Sequence, residues 1–173
     1  MKDIFDELDN MSDEELMAEM NSILEEVKAD MEEKDWLYLD PPEVVSSMME
    51  NGNLELWLAV EENRVAAAFS VVYPGLESYN YGYDLELPES DLLRVVHMDT
   101  SAVHRDYRGL GLQRKMVQTA EQELSQRGSK ILLCTVHPKN VFSLKNMLQQ
   151  GYEIQMQVNK YDSERLILRK NIL

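Results

Sequence analysis

Val103-His-Arg-Asp-Tyr-Arg-Gly-Leu-Gly-Leu-Gln-Arg114 is the stretch on which the reading of this chain turns. Before it runs an apolar, β-branched segment, Leu93 to Val103. After it, Leu112, Met116, Val117, Ala120 and Leu124 recur on one face of a helix that Gly128 stops. Gly109 and Gly111 therefore fall where a strand gives way to a helix N-terminus. The first turn of a helix has N–H groups with no intrahelical partner and the positive end of the macrodipole, and glycines let the main chain approach an anion closely. The stretch reads as a phosphate-holding turn. It is also a basic island, with Arg105, Arg108, Arg114 and Lys115 facing only Asp106 in a chain of formal net charge -15.

The 173 residues suit one domain, 1–173, with an ordinary globular composition of 44% apolar and 28% charged residues. No apolar run approaches the roughly 18 residues of a bilayer span, and Met-Lys-Asp-Ile-Phe-Asp lacks a signal-peptide core. The expectation is a cytoplasmic protein with no membrane partner. Cys134 is the only cysteine, which excludes an internal disulfide, and it reads as a small buried hydrophobe. Three scattered histidines, His97, His104 and His137, make no metal site. Residues 1–35 hold 14 Asp or Glu against 3 Lys. A chain this acidic repels nucleic acid. The acidic arm either attracts a cationic substrate or a basic partner, or is simply a solvated helix face.

Ser12 and Glu15 make a capping-box start, and Leu16, Met20, Ile23, Leu24, Val27 and Met31 predict a helix to about Lys34. Pro42 to Glu50 reads as a second helix ended by Asn51-Gly52. Leu54 to Glu61 and Arg64 to Tyr73 form a hairpin through Glu62-Asn63. Pro74 to Ser90 is a polar loop whose Tyr79, Tyr81 and Tyr83, at period two, suggest a short edge strand. Lys130 to His137 is a strand, Asn140 to Gln150 a helix stopped by Gly151, and Tyr152 to Val158 with Arg165 to Lys170 a last hairpin. The pattern predicts an α/β or α+β sheet with helices packed on it.

From about Leu54 to Tyr161 (54–161) the chain resembles the GNAT superfamily of acetyl-coenzyme A dependent N-acetyltransferases. Their order is a strand ending in Val, then x-x-x-Tyr-Arg-Gly-x-Gly-Leu on an amphipathic helix, a strand, Asn with Ser three on, and Gly-aromatic eleven on. Here these are Val103, Tyr107 to Leu112, Asn140, Ser143 and Gly151-Tyr152. The resemblance implies a mixed, mostly antiparallel sheet splayed in the middle, with helices on both faces. It implies that main-chain amides of Arg108, Gly109, Leu110, Gly111, Leu112, Gln113 and Arg114, with Arg105 beside them, hold the coenzyme A pyrophosphate. Ser101 and Val103 then pair through their main chain with the pantetheine arm, and Asn140 and Ser143 contact it from the other side. Acetyl-coenzyme A is the expected co-substrate, with no metal.

Two positions depart from the family. Gln113 stands where Gly or Ala is common, and Met147 where many members have a Tyr that protonates the leaving thiolate. The family usually begins with a strand, and Lys2 to Leu8 is a poor one.

An amine must lose a proton before it attacks a thioester, so a base is expected. Strict alternation puts His97, Asp99, Ser101 and Val103 on one face of their strand and Val96, Met98, Thr100 and Ala102 on the other. In the histone-acetylating branch a Glu base sits six before the Val, and the aralkylamine enzymes have His at both this position and the one four before. His97 is then the base, or else a histidine satisfied within the sheet. Asp99 orients His97, is itself the base, or binds the acceptor ammonium. Tyr73, Tyr79, Tyr81, Tyr83, Trp36 and Tyr38 are candidates to line an acceptor pocket for a small cationic amine. The expected function is acetyl transfer to a primary amine of a small molecule or peptide, by direct attack in a ternary complex. The alternative is a non-catalytic acyl-coenzyme A binding or regulatory protein, and a homodimer is left open.

Overall fold

The computed structural model describes residues 13–61 and 64–172. The Ser12 cap, the Leu16 side chain, the Glu62-Asn63 turn and the Lys2 to Leu8 segment lie outside what is described. Helix α1 (Asp13–Asp30) buries Met20, Ile23 and Leu24 against Val60, Val65, Ala68 and Ala102. It ends one turn before Lys34, because the Lys34 ammonium folds back to accept its place at the C-terminus, donating to the Lys28 and Met31 carbonyls at 3.0 and 3.1 Å. A single 3-10 turn, Lys34–Trp36, follows, then α2 (Pro42–Glu50), which has Pro42 in its first turn and ends at Asn51.

Six strands form one sheet: β1 (Leu54–Glu61), β2 (Arg64–Val72), β3 (Val95–Val103), β4 (Ile131–Val136), β5 (Glu153–Lys160) and β6 (Ser163–Asn171), in the order β1-β2-β3-β4-β6-β5. All pairings are antiparallel except β3 with β4. That parallel seam has three residue pairs, Val95–Ile131, Val96–Leu132 and His97–Leu133, after which the strands part. The sheet is therefore mixed, mostly antiparallel and splayed at its middle. Helices α4 (Leu112–Gln126) and α5 (Val141–Gln149) cover one face, sharing a core with Phe69, Val96, Met98, Leu132 and Tyr152. On the other face lie α1 and, beside it, residues 74–92, whose Tyr81 packs on Val95, Ile131, Leu133 and Ile167.

A strap crosses the splay. Asp35, just after α1, accepts from Ser163 Oγ at 2.6 Å through its carboxylate and from Arg165 at 2.6 Å through its carbonyl, tying the segment that packs on β2 and β3 to the start of β6.

Three expectations need correction. β3 starts at Val95 rather than Leu93, because Pro88 opens one helical turn, α3 (Glu89–Leu92), which Leu93 closes. Residues 74–88 contain no strand: Asn80 is buried and organises a chain of turns, its amide donating to the Gly75 and Leu92 carbonyls while its Oδ1 accepts from the Gly82 amide. Third, β3 does not alternate strictly. Phe69 pairs with Ser101 but Val71 with Met98, so Asp99 and Thr100 together oppose Ser70. This is a β-bulge, and it swaps the faces beyond it. Val96 and Met98 lie in the α4 core before it, whereas Val103 packs on that core after it and Ala102 turns to α1. His97 and Val103 are thus on opposite faces. Ser70 staples the bulge, accepting from the Thr100 amide and donating to Asp99 Oδ2, both at 2.9 Å.

Candidate active site

Where β3 and β4 diverge, a cleft of about 1040 Å³ opens through the sheet, lined by Met98, Asp99, Thr100, Ser101 and Val103 of β3 and by Cys134, Thr135 and Val136 of β4. Its walls are the turn 107–114, the start of α5 and the end of α1 with Trp36 and Leu37. β2 satisfies one side of β3 up to Val103, but pairing with β4 ends at His97, so the main chain from Met98 onward faces the cleft with no strand beside it. Ser101 Oγ is buried there without a hydrogen-bond partner. Such a group costs about 1–3 kcal/mol.

The turn has the form its glycines suggest. Gly109 and Gly111 take φ of 81° and 74°, in the left-handed region, and a Cβ on either meets nothing within 4 Å. Gly111 precedes α4 and no side chain caps the first turn, leaving its amides for an outside acceptor. Leu110 is exposed, Leu112 is anchored in the core, and Gln113 lines the cleft from the helix.

The arginine side chains turn elsewhere. Arg108 pairs with Asp30 at 2.8 Å and donates through Nε to the Val103 carbonyl at 3.2 Å, while Arg105 meets Glu26 at 3.2 Å and donates its main-chain N–H to the same carboxylate at 3.0 Å. The Arg108 guanidinium holds the Asp30 carboxyl below the usual range. Arg114 reaches Gln149 at 2.9 Å. The basic island therefore has a reason that neither reading of the acidic arm contained: its counter-charges are the last turns of α1.

Across the cleft Asn140 caps α5, accepting from the Ser143 amide at 3.2 Å, and both residues line the cavity. Met147 is buried in the core beneath them, also at the cleft wall.

The two expected acid–base residues are separated. His97 is 3% exposed, its Nε2 accepts from the Tyr81 amide at 3.2 Å, and its ring stacks on Tyr81 with centroids 3.8 Å apart. Burial, with the Lys160 charge nearby, lowers its pKa to about 3. It is a neutral histidine satisfied within the fold and absent from the cleft lining. Asp99, displaced by the bulge, does line the cleft. Burial raises its pKa, opposed by its bonds from Ser70 and Thr100.

The aromatic residues divide as well. Tyr81 is buried and its hydroxyl lies 2.6 Å from that of Tyr161, which stacks on Tyr38 at 4.2 Å. Trp36 lines the cleft. Tyr73 bonds Arg127 and Tyr83 the Leu76 carbonyl, away from this cluster. Tyr161 escaped the sequence reading because it sits in a two-residue hairpin turn in which it and Asp162 take φ of 59° and 56° with no glycine to mark it.

A family model described as the acetyltransferase (GNAT) family matches residues 17–152. The chain belongs to the GNAT acetyltransferase family. No curated protein matches it. Among solved structures, this GNAT chain resembles an N-acetyltransferase from Staphylococcus aureus Mu50 (TM-score 0.68, 13% identity, 93% of this chain and 94% of that one covered). It is similar too to the ribosomal-protein-alanine N-acetyltransferase of Brucella melitensis (0.67, 16%, 94% and 97%). A third is yncA of Salmonella typhimurium, solved with its cofactor acetyl-CoA (0.65, 14%, 92% and 90%). At these identities the likeness is one of fold. In this GNAT acetyltransferase the unpaired β3 edge and the open cradle over Gly109 and Gly111 suit a ligand that is polar along its length and anionic at one end.

Proposed function

We propose that the enzyme transfers acetyl from acetyl-coenzyme A to a primary amine, of a small molecule or peptide, by direct attack in a ternary complex. The observation that carries this is the conjunction at the bulge: β3 turns an unpaired main-chain edge into the same cleft that Ser101 and Asp99 line. Ser101 and Val103 main-chain groups hold the pantetheine arm, Asn140 and Ser143 flank it, and the amides of 108–114 take the pyrophosphate. Acetyl-coenzyme A supplies the thioester carbonyl that the amine attacks. Much of the rate comes from holding the two together.

Asp99 is the base in this reading. Its raised pKa brings it toward the range where a carboxylate removes a proton effectively, and the bulge aims it into the cleft. His97 supports from behind, fixing Tyr81 and through it Tyr161. Met147 favours a second reading, an acyl-coenzyme A binding protein without turnover, since a thioether cannot protonate a thiolate.

A thiol-release screen over amines, with Asp99→Asn beside the wild type, decides between them. Turnover that drops about 10²–10⁴-fold in Asp99→Asn, with coenzyme binding kept, supports the enzyme. The wild-type rate should rise with pH through an apparent pKa above the ordinary aspartate value. Calorimetric binding of acetyl-coenzyme A without turnover on any amine supports the second reading instead.

A further inference from the structure

Among the described residues the most exposed large apolar side chain is Phe142, at 84%, the second residue of α5. Its helix has no need of it for packing: Leu144 and Met147 carry the face that enters the core. Yet Phe142 does not stand on open surface. It lines the rim of the cleft, flanked by Lys139, Asn140 and Ser143, across from the turn 108–114. An isolated exposed apolar residue needs no explanation, but a bare phenyl ring at the mouth of a ligand cleft does.

We propose that Phe142 is the stacking platform for the adenine of coenzyme A. The inference rests on the acetyl-coenzyme A reading above. If the thioester arm lies in the splay and the pyrophosphate on the amides at the head of α4, the nucleoside must leave the cleft at its rim, on the far side of the phosphates. Phe142 offers an aromatic face there, whereas Tyr107 of the turn, which also lines the cleft, packs against the core. Arg105 and Arg108 are turned toward Glu26 and Asp30, so the nucleotide end draws little from those guanidinium groups. Base–aromatic stacking holds a nucleobase without any hydrogen-bond readout, because it needs only a π-face. Phe142 is then a residue that distinguishes coenzyme A from shorter pantetheine thiols, while the chemistry stays with β3.

Isothermal titration of the wild type, Phe142→Ala and Phe142→Trp with coenzyme A and with 4′-phosphopantetheine tests this. The exposed position makes both variants safe for folding. Phe142→Ala should weaken coenzyme A by about tenfold, leave 4′-phosphopantetheine unchanged, and be rescued by Phe142→Trp. Equal affinity of wild type and Phe142→Ala for coenzyme A overturns the proposal, as does equal weakening of both ligands. Self-association of the wild type that Phe142→Ala abolishes, with coenzyme affinity intact, gives the ring to a second copy of the chain and also overturns it. If the wild type binds neither ligand, the coenzyme A reading itself falls.

Discussion

His97 has the chemistry of a base but sits outside the lining of the cleft. Its lone pair is taken by the Tyr81 amide and its ring is sealed under the Tyr81 phenol. The consequence is measurable as linkage. With its folded pKa lowered to about 3 against an ordinary value of 6.5, the unfolded chain binds the extra proton between those values, so stability is full above about pH 6.5 and falls as pH drops through the window. The slope is at most about 1.4 kcal/mol per pH unit. Urea unfolding at pH 7 and pH 5 should show a larger loss in the wild type than in His97→Gln, which starts less stable at pH 7. The sequence offered both histidine readings and could not choose, because the choice depends on the extra residue in β3. Nothing local marks a bulge at Met98-Asp99-Thr100; it becomes visible only when Ser70, 29 residues upstream, is seen to staple it.

At the level of elements, the strand–turn–helix unit from β3 to α4 was the most legible part of the chain. Its apolar run, its glycines and its helical stripe all point to the same conformation, and that agreement of local signals made it readable. The loop 74–92 was the least legible, since period-two tyrosines mimic a strand and the buried amide of Asn80 that forces turns is an ordinary loop residue in sequence. The α4 turn yields a clean test. Gly111→Ala introduces no clash, only a side chain at φ 74°, so the cost is conformational, about 1–2 kcal/mol. Denaturant titration should read that loss, and calorimetry a weakened coenzyme affinity as the turn relaxes. An unchanged affinity would mean that its amides do not hold the ligand.

Across the molecule, the acidic N-terminal helix and the basic turn form one electrostatic unit. Glu26 and Asp30 neutralise Arg105 and Arg108, and being solvent-screened these pairs contribute little to stability. Removing the acids should therefore leave folding nearly intact. Glu26→Gln combined with Asp30→Asn frees two guanidinium groups beside the turn proposed to hold the pyrophosphate, and coenzyme A affinity should rise a few-fold at low salt, with the gain shrinking at high ionic strength. Titrations at two salt concentrations check it.

The splay described above also divides the sheet mechanically. β1, β2 and β3 form one leaf, β4, β6 and β5 another, and between them run three parallel residue pairs and the strap at Asp35. Proteins open along such seams, in cooperative units smaller than the whole. Hydrogen exchange should then resolve two sets of protected amides, one per leaf, with the Val95–His97 seam exchanging at the rate of the weaker leaf. Removing the side-chain half of the strap with Asp35→Ala, which leaves the Arg165 bond to the main-chain carbonyl, should widen the difference between the sets. A ligand lodged in the splay would do the reverse and make the two leaves open as one, turning exchange kinetics into a gauge of occupancy that requires no turnover.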